Sequence, residues 1–433
     1  MAGTIRFISF IAAALIVLLM DSCTTSRKMN KKIQHGPSDL IERILAQHPE
    51  QFDSIVRNDE HRVQILYTQI DRTKNNRPKF TDHFYHVDNA KYFYPASTVK
   101  LPVAALALQK LNEIHKKDLD ENSTMITEQD NGSQTAVYND PTTSDGRPTV
   151  GHYIKKIFLE SDNDAFNRLY EFLGQEYINI SLLKMGFEDA QIVHRLDISL
   201  TEEQNRQTNP VRFFDTSSKL LYEQPAVNSM LALKSRDIKM GKAYMSNGQL
   251  VNAPFDFSSK NRLNLQDLHE ILRSLLFPKA VPRKKRFGLR SNDYELLRKY
   301  MSMYPSESKY PAYDSSAVRD TYVKFLLYGA EPVVPAPYIR IFNKIGVAYG
   351  FVTDVAYIVD FENNIEFMLT ATIHCNSDGI YNDDHYEYDS VGYPFLKNLG
   401  KAVYDYELKR VRKNVPDLSE FRFDWNERLH ASR

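Results

Sequence analysis

The apolar positions of the chain form strand-like runs near its two ends and helix-like runs between them. Arg62 to Arg72 and His83 to Tyr94 are rich in β-branched and aromatic side chains, which is typical of strands. Three more runs near the C-terminus share this character: Tyr338 to Val347, Val352 to Phe361 and Ile365 to His374. The pattern therefore predicts two strands early in the chain and three late in it.

The centre of the chain has apolar residues at helical spacing. Ser97 to Ile114 is the strongest helical run, with Pro102 within its first turns. Further predicted helices are Gly151 to Phe158, Ala165 to Leu173, Ile178 to Met185, Leu263 to Leu276 and a terminal one from Tyr393 to Val411. Residues 197–260 lack strong periodicity and predict an insertion. Strands at both ends around a helical centre predict an α+β fold with one sheet assembled from distant segments.

These patterns divide the chain into a leader, a tether, one large domain and a tail. We assign 1–23 to a signal peptide, 24–60 to a polar, basic tether and an N-terminal helix that starts near Asp39, 61–412 to the large domain and 413–433 to a C-terminal tail. Within the domain, 61–105 and 335–412 form the predicted sheet subdomain. Residues 106–334 form the predicted helical subdomain, with the insertion near 197–260.

The N-terminus has the features of an export signal. Arg6 precedes the apolar run Phe7 to Met20, and Ser22-Cys23 follows directly. This arrangement resembles the lipobox of bacterial lipoproteins, which implies lipidation of Cys23 and attachment to a membrane facing the periplasm. Thr24 after that cysteine suits the outer membrane. An uncleaved membrane anchor is the alternative, and both interpretations place the rest of the chain outside the cytoplasm.

Charge and cysteine content narrow the class of protein. Lys plus Arg and Asp plus Glu both number 55, which argues against a nucleic-acid-binding surface over the whole molecule. The chain holds two cysteines, Cys23 and Cys375. If Cys23 carries a lipid, Cys375 has no partner for an intramolecular disulfide, so the fold depends on its core.

Three short motifs carry candidate chemistry. Ser97-Thr98-Val99-Lys100 is an S-x-x-K tetrad at the start of a predicted helix, where spacing of three puts both functional groups on one face. A desolvated lysine there can help remove the serine proton. Two other S-x-x-K tetrads occur, so the motif alone carries little weight. Ser161-Asp162-Asn163 and Lys344-Ile345-Gly346 follow it in the chain.

The order S-x-x-K, S-D-N, K-x-G resembles that of the penicillin-recognising serine hydrolases, the class A β-lactamases above all. Phe93 to Leu101, Asn261 to Leu276 and Tyr349 to Ile358 are also similar to class A segments, and the resemblance covers roughly residues 60–410. It implies a β-lactamase/transpeptidase-like fold: a five-stranded antiparallel sheet from both chain ends with an all-helical subdomain. It also implies an acyl-enzyme mechanism with a β-lactam or a peptidoglycan-derived acyl substrate, without a cofactor.

The resemblance also implies a role for each motif. Ser97 is the expected nucleophile, Lys100 and Ser161 the expected proton-transfer groups, Asn163 and Lys344 the expected substrate-binding side chains. Gly346 and Val347 belong to the expected substrate-binding strand. The backbone N–H groups of Ser97 and Val347 form the expected oxyanion hole. Ser161-Asp162-Asn163 would also suit a helix N-cap, a role compatible with the catalytic one.

Two departures from the family pattern stand out. Ile345 replaces the usual Thr or Ser, so a hydroxyl that would bind a substrate carboxylate is missing; such a contact is typically about 1.5–3 kcal/mol. Arg195-Leu196-Asp197 resembles the start of the class A loop that carries a deacylating glutamate, yet the expected position holds Leu200. Glu202 and Glu203 lie close by and are the predicted bases, with solvated surface acids as the alternative.

A second polar cluster, from His374 through Cys375 and Asp378 to His385, also contains Asp383 and Asp384. Its spacing fits neither a zinc nor an EF-hand pattern, so we expect a solvated loop and no metal.

Two alternatives to β-lactam hydrolysis remain open from the sequence. The first is a D,D-peptidase or penicillin-binding type of enzyme, favoured by Ile345 and by the displaced glutamate. The second is a lipid-anchored sensor that keeps the fold without turnover.

Overall fold

The computed structural model describes residues 39–130 and 135–428. Its strands, in chain order, are β1 (Gln64–Arg72), β2 (Pro78–Tyr85), β3 (Thr124–Thr127), β4 (Gln207–Thr208), β5 (Val211–Phe214), β6 (Leu220–Gln224), β7 (Val227–Asn228), β8 (Lys239–Met240), β9 (Ala243–Ser246), β10 (Gln249–Val251), β11 (Phe255–Asp256), β12 (Ile339–Ala348), β13 (Phe351–Asp360), β14 (Ile365–His374) and β15 (Ile380–Tyr381). Its helices are α1 (Asp39–Leu45), α2 (Pro49–Val56), α3 (Lys100–Ile114), α4 (Val150–Leu159), α5 (Asn163–Leu173), α6 (Gln175–Lys184), α7 (Glu202–Arg206), α8 (Leu265–Leu276), α9 (Ser291–Ser302), α10 (Phe325–Tyr328) and α11 (Tyr393–Lys409).

The main sheet has the predicted composition. Its five strands run in the order β12-β13-β14-β1-β2, and every neighbouring pair is antiparallel. Two strands come from the start of the chain and three from its end, with most of the helices between them in sequence. The predicted α+β fold with a five-stranded antiparallel sheet is therefore confirmed.

The two faces of the sheet contribute to two different cores, because successive side chains of a strand point to opposite faces. On β12 and β13, Phe342 and Val355 belong to the core that includes α3, α5 and α8. Ile341 and Ala356, next to them in the chain, belong to the core that includes α1 and α11. The sheet is thus covered on both sides, which explains why β13 and β14 are buried along their whole length.

Two segments differ from the predicted pattern. The second strand lies at Pro78–Tyr85 rather than at His83 to Tyr94, because β2 pairs with β1 directly after a short turn. Tyr92, Phe93 and Tyr94 are aromatic because they are buried in a third core, not because they form a strand. The insertion holds α7 and several short strands, and its β9–β10 hairpin pairs with β15.

The predicted leader and the predicted lipidation site Cys23 lie outside the described residues. Among the helices of residues 39–130 and 135–428, none has the length and apolarity needed to cross a membrane. After α11, Leu418 and Phe421 are buried in the core shared with α8 and β13, so this part of the predicted tail packs against the domain.

Candidate functional site

The predicted nucleophile lies on a tight turn that leads into α3. Ala96–Val99 form a 3-10 helix, and Thr98 anchors it by donating from Oγ1 to the Pro95 carbonyl at 2.7 Å. Ala96 has φ of 46°, in the left-handed region that favours glycine, which costs on the order of 1–3 kcal/mol. Ser97 is half-buried while the residues on both sides of it are buried. The turn therefore leaves the Ser97 side chain partly exposed within a segment that is otherwise buried.

Lys100, the first residue of α3, is buried and points to the loop before α5. Its Nζ donates to the Ser161 carbonyl, to Asn163 Oδ1 at 2.7 Å and to Ser161 Oγ at 3.3 Å. Burial lowers the pKa of Lys100 to about 7, although the charges of Asp162, Asp197 and Glu160 act in the opposite direction. A large share of this amine is therefore neutral at pH 7 and able to accept a proton.

The loop before α5 brings Ser161 to both predicted lysines, whereas Asn163, the first residue of α5, contacts Lys100. Ser161 has φ of 63°, and Asp162 caps α5 by accepting from the Ala165 N–H at 2.7 Å. The predicted helix-capping role thus belongs to Asp162, which leaves the Ser161 hydroxyl available for the cleft. Lys344 Nζ donates to this hydroxyl at 2.8 Å.

Lys344 lies on β12, an edge strand that pairs only with β13 in the main sheet. Burial lowers the pKa of Lys344 well below its usual value, and the Lys100 ammonium lowers it further. The free edge of β12 faces the nucleophile turn: a Cβ on Gly346 would lie 2.5 Å from the Pro95 carbonyl oxygen. Only glycine allows this approach, which brings unpaired N–H groups of the strand next to Ser97.

Next to the Lys344-Ile345-Gly346 motif, a buried network of polar side chains holds β12 in place. Lys324 Nζ donates to Asn343 Oδ1 at 2.7 Å and to the Ile341 carbonyl at 2.9 Å. Asn343 Nδ2 in turn donates to Asp354 Oδ1 at 2.8 Å, across the β12–β13 pair. Burial lowers the pKa of Lys324 to about 7 and raises that of Asp354 to about 6. Asp354 lies in the Tyr349 to Ile358 segment that is similar to class A enzymes, whereas no motif marks Lys324.

Two cavities meet at Ser97. We call the first, of about 740 Å³, the acyl arm; it extends between residues 193–206, the insertion and residues 382–388. We call the second, of about 820 Å³, the leaving-group arm; it extends between Ser161, residues 319–332 and residues 389–394. Ser97, Asn163, Asp197 and Val347 line both arms. The cleft is therefore open on both sides of the predicted nucleophile.

A buried ion pair holds the segment that borders the acyl arm. Arg195 and Glu171 form a 2.5 Å contact in which both side chains are 0% exposed. Leu196, the residue after Arg195, makes two hydrogen bonds with Asn167 of α5. The Asn167 side chain donates to the Leu196 carbonyl and accepts from the Leu196 N–H, each at 2.9 Å. The backbone just before Asp197 is thus fixed to α5, the helix that also positions Asn163.

The three carboxylates of this segment have different positions. Glu202 lines the acyl arm, with an exposed side chain. Glu203 accepts from Asn228 Nδ2 at 3.2 Å and does not line either arm, so the described residues do not bring it to Ser97. Asp197, with φ of 56°, lines both arms. The family spacing counted from Arg195-Leu196-Asp197 leads to Leu200, so it does not point to Asp197 itself.

The model of the "beta-lactamase enzyme family" matches residues 49–286, over half of the 433 residues, and includes Ser97, Lys100 and Ser161. The chain belongs to this family. Its membership of the beta-lactamase enzyme family indicates that the protein is a hydrolase. Lys344 lies outside the matched range, so the structure alone brings this residue to Ser161.

Several solved structures are also similar to this beta-lactamase-family chain. A beta-lactamase from Burkholderia phymatum is 16% identical, with 84% of this chain and 98% of that chain covered and a TM-score of 0.47. A class A beta-lactamase from Clostridium kluyveri is 13% identical, with 85% and 97% covered and a TM-score of 0.43. PBP-A is 12% identical, with 86% and 98% covered and a TM-score of 0.46. No curated protein matches the sequence.

The second polar cluster separates into two parts. His374 and Cys375 are buried, and burial raises the pKa of the Cys375 thiol to about 12. Asp378, Asp383 and His385 place one possible ligand atom each within 4.8 Å of one another. Asp378 and Asp383 also accept backbone N–H groups of this loop, from Ile380 and His385. The loop's own turns therefore account for both carboxylates.

The close approach at Gly346 gives a direct test of this site. We expect Gly346→Ala to push β12 away from the nucleophile turn, to cost about 1–3 kcal/mol of stability and to slow acylation by about tenfold or more. Gly248→Ala is the control, because Gly248 has φ of 74° and no neighbour within 4 Å of its Cβ position. It should cost stability without slowing acylation. Equal acylation rates for both variants would contradict the role of Gly346.

Proposed function

We propose that this hydrolase of the beta-lactamase family acts through an acyl-enzyme on Ser97, with the amide of a β-lactam as an acyl donor. The observation that carries the proposal is the meeting of two buried lysines at one hydroxyl. Lys100 and Lys344 both donate to Ser161 Oγ, at 3.3 and 2.8 Å, in the cleft where Ser97 lies. A structural role alone would not require two buried amines at one serine beside an open cleft.

In the proposed reaction, Ser97 Oγ attacks the carbonyl carbon while its proton passes to the neutral Lys100 amine. The oxyanion accepts from the N–H groups of Ser97 and Val347, on the turn and on the free edge of β12. When the C–N bond breaks, the leaving nitrogen takes the Ser161 proton, which Lys100 or Lys344 replaces. Ser161 lines only one arm, so the departing part occupies the leaving-group arm and the acyl part the acyl arm.

We propose Asp197 as the carboxylate that activates water for deacylation. It lines both arms with Ser97, and its charge acts on Lys100, whereas Glu203 is engaged by Asn228. Glu202, which lines the acyl arm, is the alternative base.

The predicted consequence is a trapped intermediate. Asp197→Asn should still acylate but should lose about a hundredfold or more in deacylation, since general bases contribute 10²–10⁴-fold. Persistence of the acyl-enzyme is measured by intact mass after removal of excess penicillin. Glu223→Gln is the matched control, because it makes the same carboxylate-to-amide change at an exposed residue of β6. Trapping by Glu202→Gln instead of Asp197→Asn would assign the role to Glu202.

The test of the whole proposal is time-resolved intact mass spectrometry of the full-length chain with a penicillin. We expect an adduct on Ser97 that forms and then clears as hydrolysed drug accumulates. Ser97→Ala should show no adduct, and acylation that persists in this variant would overturn the proposal. An adduct that never clears would support the acyl-enzyme on Ser97 but would contradict hydrolysis of the β-lactam.

A second candidate function is hydrolysis of peptide amides derived from peptidoglycan. Ile345 favours it: this side chain lines the leaving-group arm without a hydroxyl for the carboxylate that penicillins carry next to the leaving nitrogen. Faster turnover of a peptide amide than of penicillin, dependent on Ser97, would distinguish the two.

A further inference from the structure

Lys324 is a buried lysine that joins the segment before α10 to α9 and β12. Its side chain is 0% exposed. Its Nζ donates to three acceptors: the Met301 carbonyl at 2.6 Å, the Ile341 carbonyl at 2.9 Å and Asn343 Oδ1 at 2.7 Å. An ammonium group has three N–H donors, whereas a neutral amine has two. The hydrogen bonds therefore identify Lys324 as a buried cation.

Asp354 of β13 is the matching buried anion, and its side chain is also 0% exposed. Its Oδ2 accepts from the Phe325 and Leu326 N–H groups, at 3.2 and 3.0 Å. Its Oδ1 accepts from Asn343 Nδ2 at 2.8 Å. These three partners are donors, so they favour the ionised carboxylate over the protonated acid.

The Asn343 side chain bridges the two charges. Its oxygen accepts from Lys324, while its nitrogen donates to Asp354 and to the Val323 carbonyl, each at 2.8 Å. Burial acts against both charges, since it lowers the pKa of Lys324 and raises that of Asp354. The bridge offsets this cost, because each charge meets hydrogen-bond partners of the opposite polarity. We call Lys324, Asn343 and Asp354 together the amide-bridged pair.

The amide-bridged pair lies on the strand that carries the proposed chemistry. Asn343 directly precedes Lys344, whose Nζ lies 2.8 Å from Ser161 Oγ. Val347, with the expected oxyanion N–H, follows on the same strand. In the main sheet β12 is an edge strand with β13 as its one neighbour, so contacts from outside the sheet also determine where it lies. A shift of β12 at Asn343 would therefore move both functional groups.

The same pair fixes a wall of the leaving-group arm. Tyr322 and Phe325, on either side of Lys324 in the chain, line this arm. On the other side of the segment, a Cβ on Gly400 of α11 would lie 2.5 Å from the Leu327 nitrogen. Leu327 has φ of 81°, a conformation that persists only where the surroundings impose it. The segment that carries Lys324 is thus held from both sides and gives β12 a firm support.

We propose that Lys324 is a positioning residue for acylation, which acts by holding β12 at the distance from Ser97 that the reaction requires. The inference rests on the proposed Ser97 acyl-enzyme. Lys324 is not among the described residues that line the two arms, so it does not contact the acyl donor. Its effect reaches the reaction through the Val347 N–H and through Lys344, both of which β12 carries.

A pair of substitutions separates positioning from folding. Lys324→Met removes three hydrogen bonds and leaves the Asp354 charge buried without a counter-charge, so the midpoint of denaturant unfolding should fall. Adding Asp354→Asn removes that charge, and the amide oxygen can still accept the two N–H groups. The double variant should therefore recover part of the stability. The hydrogen bonds from Lys324 to β12 stay lost, so the position of the strand should not recover.

Acylation of the full-length chain by a penicillin is followed by intact mass over a range of concentrations, where circular dichroism shows each variant folded. We expect the maximal acylation rate to fall about tenfold or more in Lys324→Met and in the double variant, because a misplacement of 1 Å can cost about a hundredfold. The half-saturating concentration should change by less than about threefold. Asn343→Ala breaks the bridge but keeps both charges, and it should show the same fall even where Lys324→Met does not fold.

Lys155 provides the matched control. It is a buried lysine of α4 that donates to the Tyr310 carbonyl at 2.5 Å and to Glu427 at 2.6 Å. Neither Lys155 nor these partners are among the described residues that line the arms. Lys155→Met should lose stability and keep its maximal acylation rate within about twofold.

Three results would overturn this inference and leave the proposed function intact. The first is a natural acylation rate in folded Lys324→Met or Asn343→Ala. The second is an acylation rate that recovers together with stability in the double variant, which would show that Lys324 acts through charge balance alone. The third is an equal loss of rate in Lys155→Met. Absence of a Ser97-dependent adduct in the natural protein would overturn the proposed function, and this inference with it.

Discussion

Replacing Lys100 with Met is expected to slow acylation of Ser97 by about 10²–10⁴-fold, the range that a positioned proton-transfer group contributes. The variant keeps the length and apolar stem of the side chain but removes the amine that reaches Asn163 and Ser161. The rate of adduct formation with a penicillin, followed by intact mass, measures the effect.

The pH dependence of acylation separates a catalytic amine from a structural one. Burial lowers the pKa of Lys100 to about 7, and the neutral amine is the form that accepts the Ser97 proton. The acylation rate of the natural protein should therefore rise as pH increases through about 7 and level off above it, and Lys100→Met should lose this rise. An unchanged profile in the variant would contradict the role.

Lys110 provides a matched control on the same helix. It is also a buried lysine of α3 with a lowered pKa, of about 8, but it binds the Phe172 carbonyl and Gln224, away from the cleft. Lys110→Met should lose stability to a similar degree and keep its acylation rate within about twofold. Similar losses of acylation in both variants would indicate that Lys100 acts through packing alone.

Much of the fold could be predicted because its signals are local. The strands β12, β13 and β14 are rich in β-branched and aromatic residues and bounded by turns, and they are buried almost along their whole length. The second strand could not be placed correctly, because aromatic residues at 92–94 serve a separate core and imitate a strand. Composition alone does not distinguish a buried aromatic loop from a strand.

The candidate site was predicted where short motifs carry it and missed where long-range contacts do. Ser97, Lys100 and Ser161 belong to motifs whose spacing is set within one turn of helix or one loop. Lys324 contacts β12 from 17 and 19 positions upstream of its partners, which no local pattern reveals. Asp197 lines the cleft only because Asn167 and Glu171 of α5 hold the residues before it, at sequence separations of 29 and 24.

That dependence on α5 leads to the prediction with the largest effect on stability. Glu171→Ala should lower the free energy of unfolding by about 3–5 kcal/mol, because it leaves the Arg195 guanidinium buried without a counter-charge. The Asn209 N–H, which donates to Glu171 at 2.5 Å, also loses this acceptor. Denaturant unfolding of the variant and the natural protein measures the difference.

The exposed pair Arg57–Asp53 supplies the control, because its side chains are 77% and 39% exposed and it should contribute less than about 1 kcal/mol. Asp53→Asn should therefore unfold almost as the natural protein does. If Glu171→Ala also loosens residues 195–206, Asp197 loses its fixed position and deacylation should slow beyond what the stability loss explains. A variant that is destabilised yet deacylates normally would show that the ion pair holds the fold without positioning Asp197.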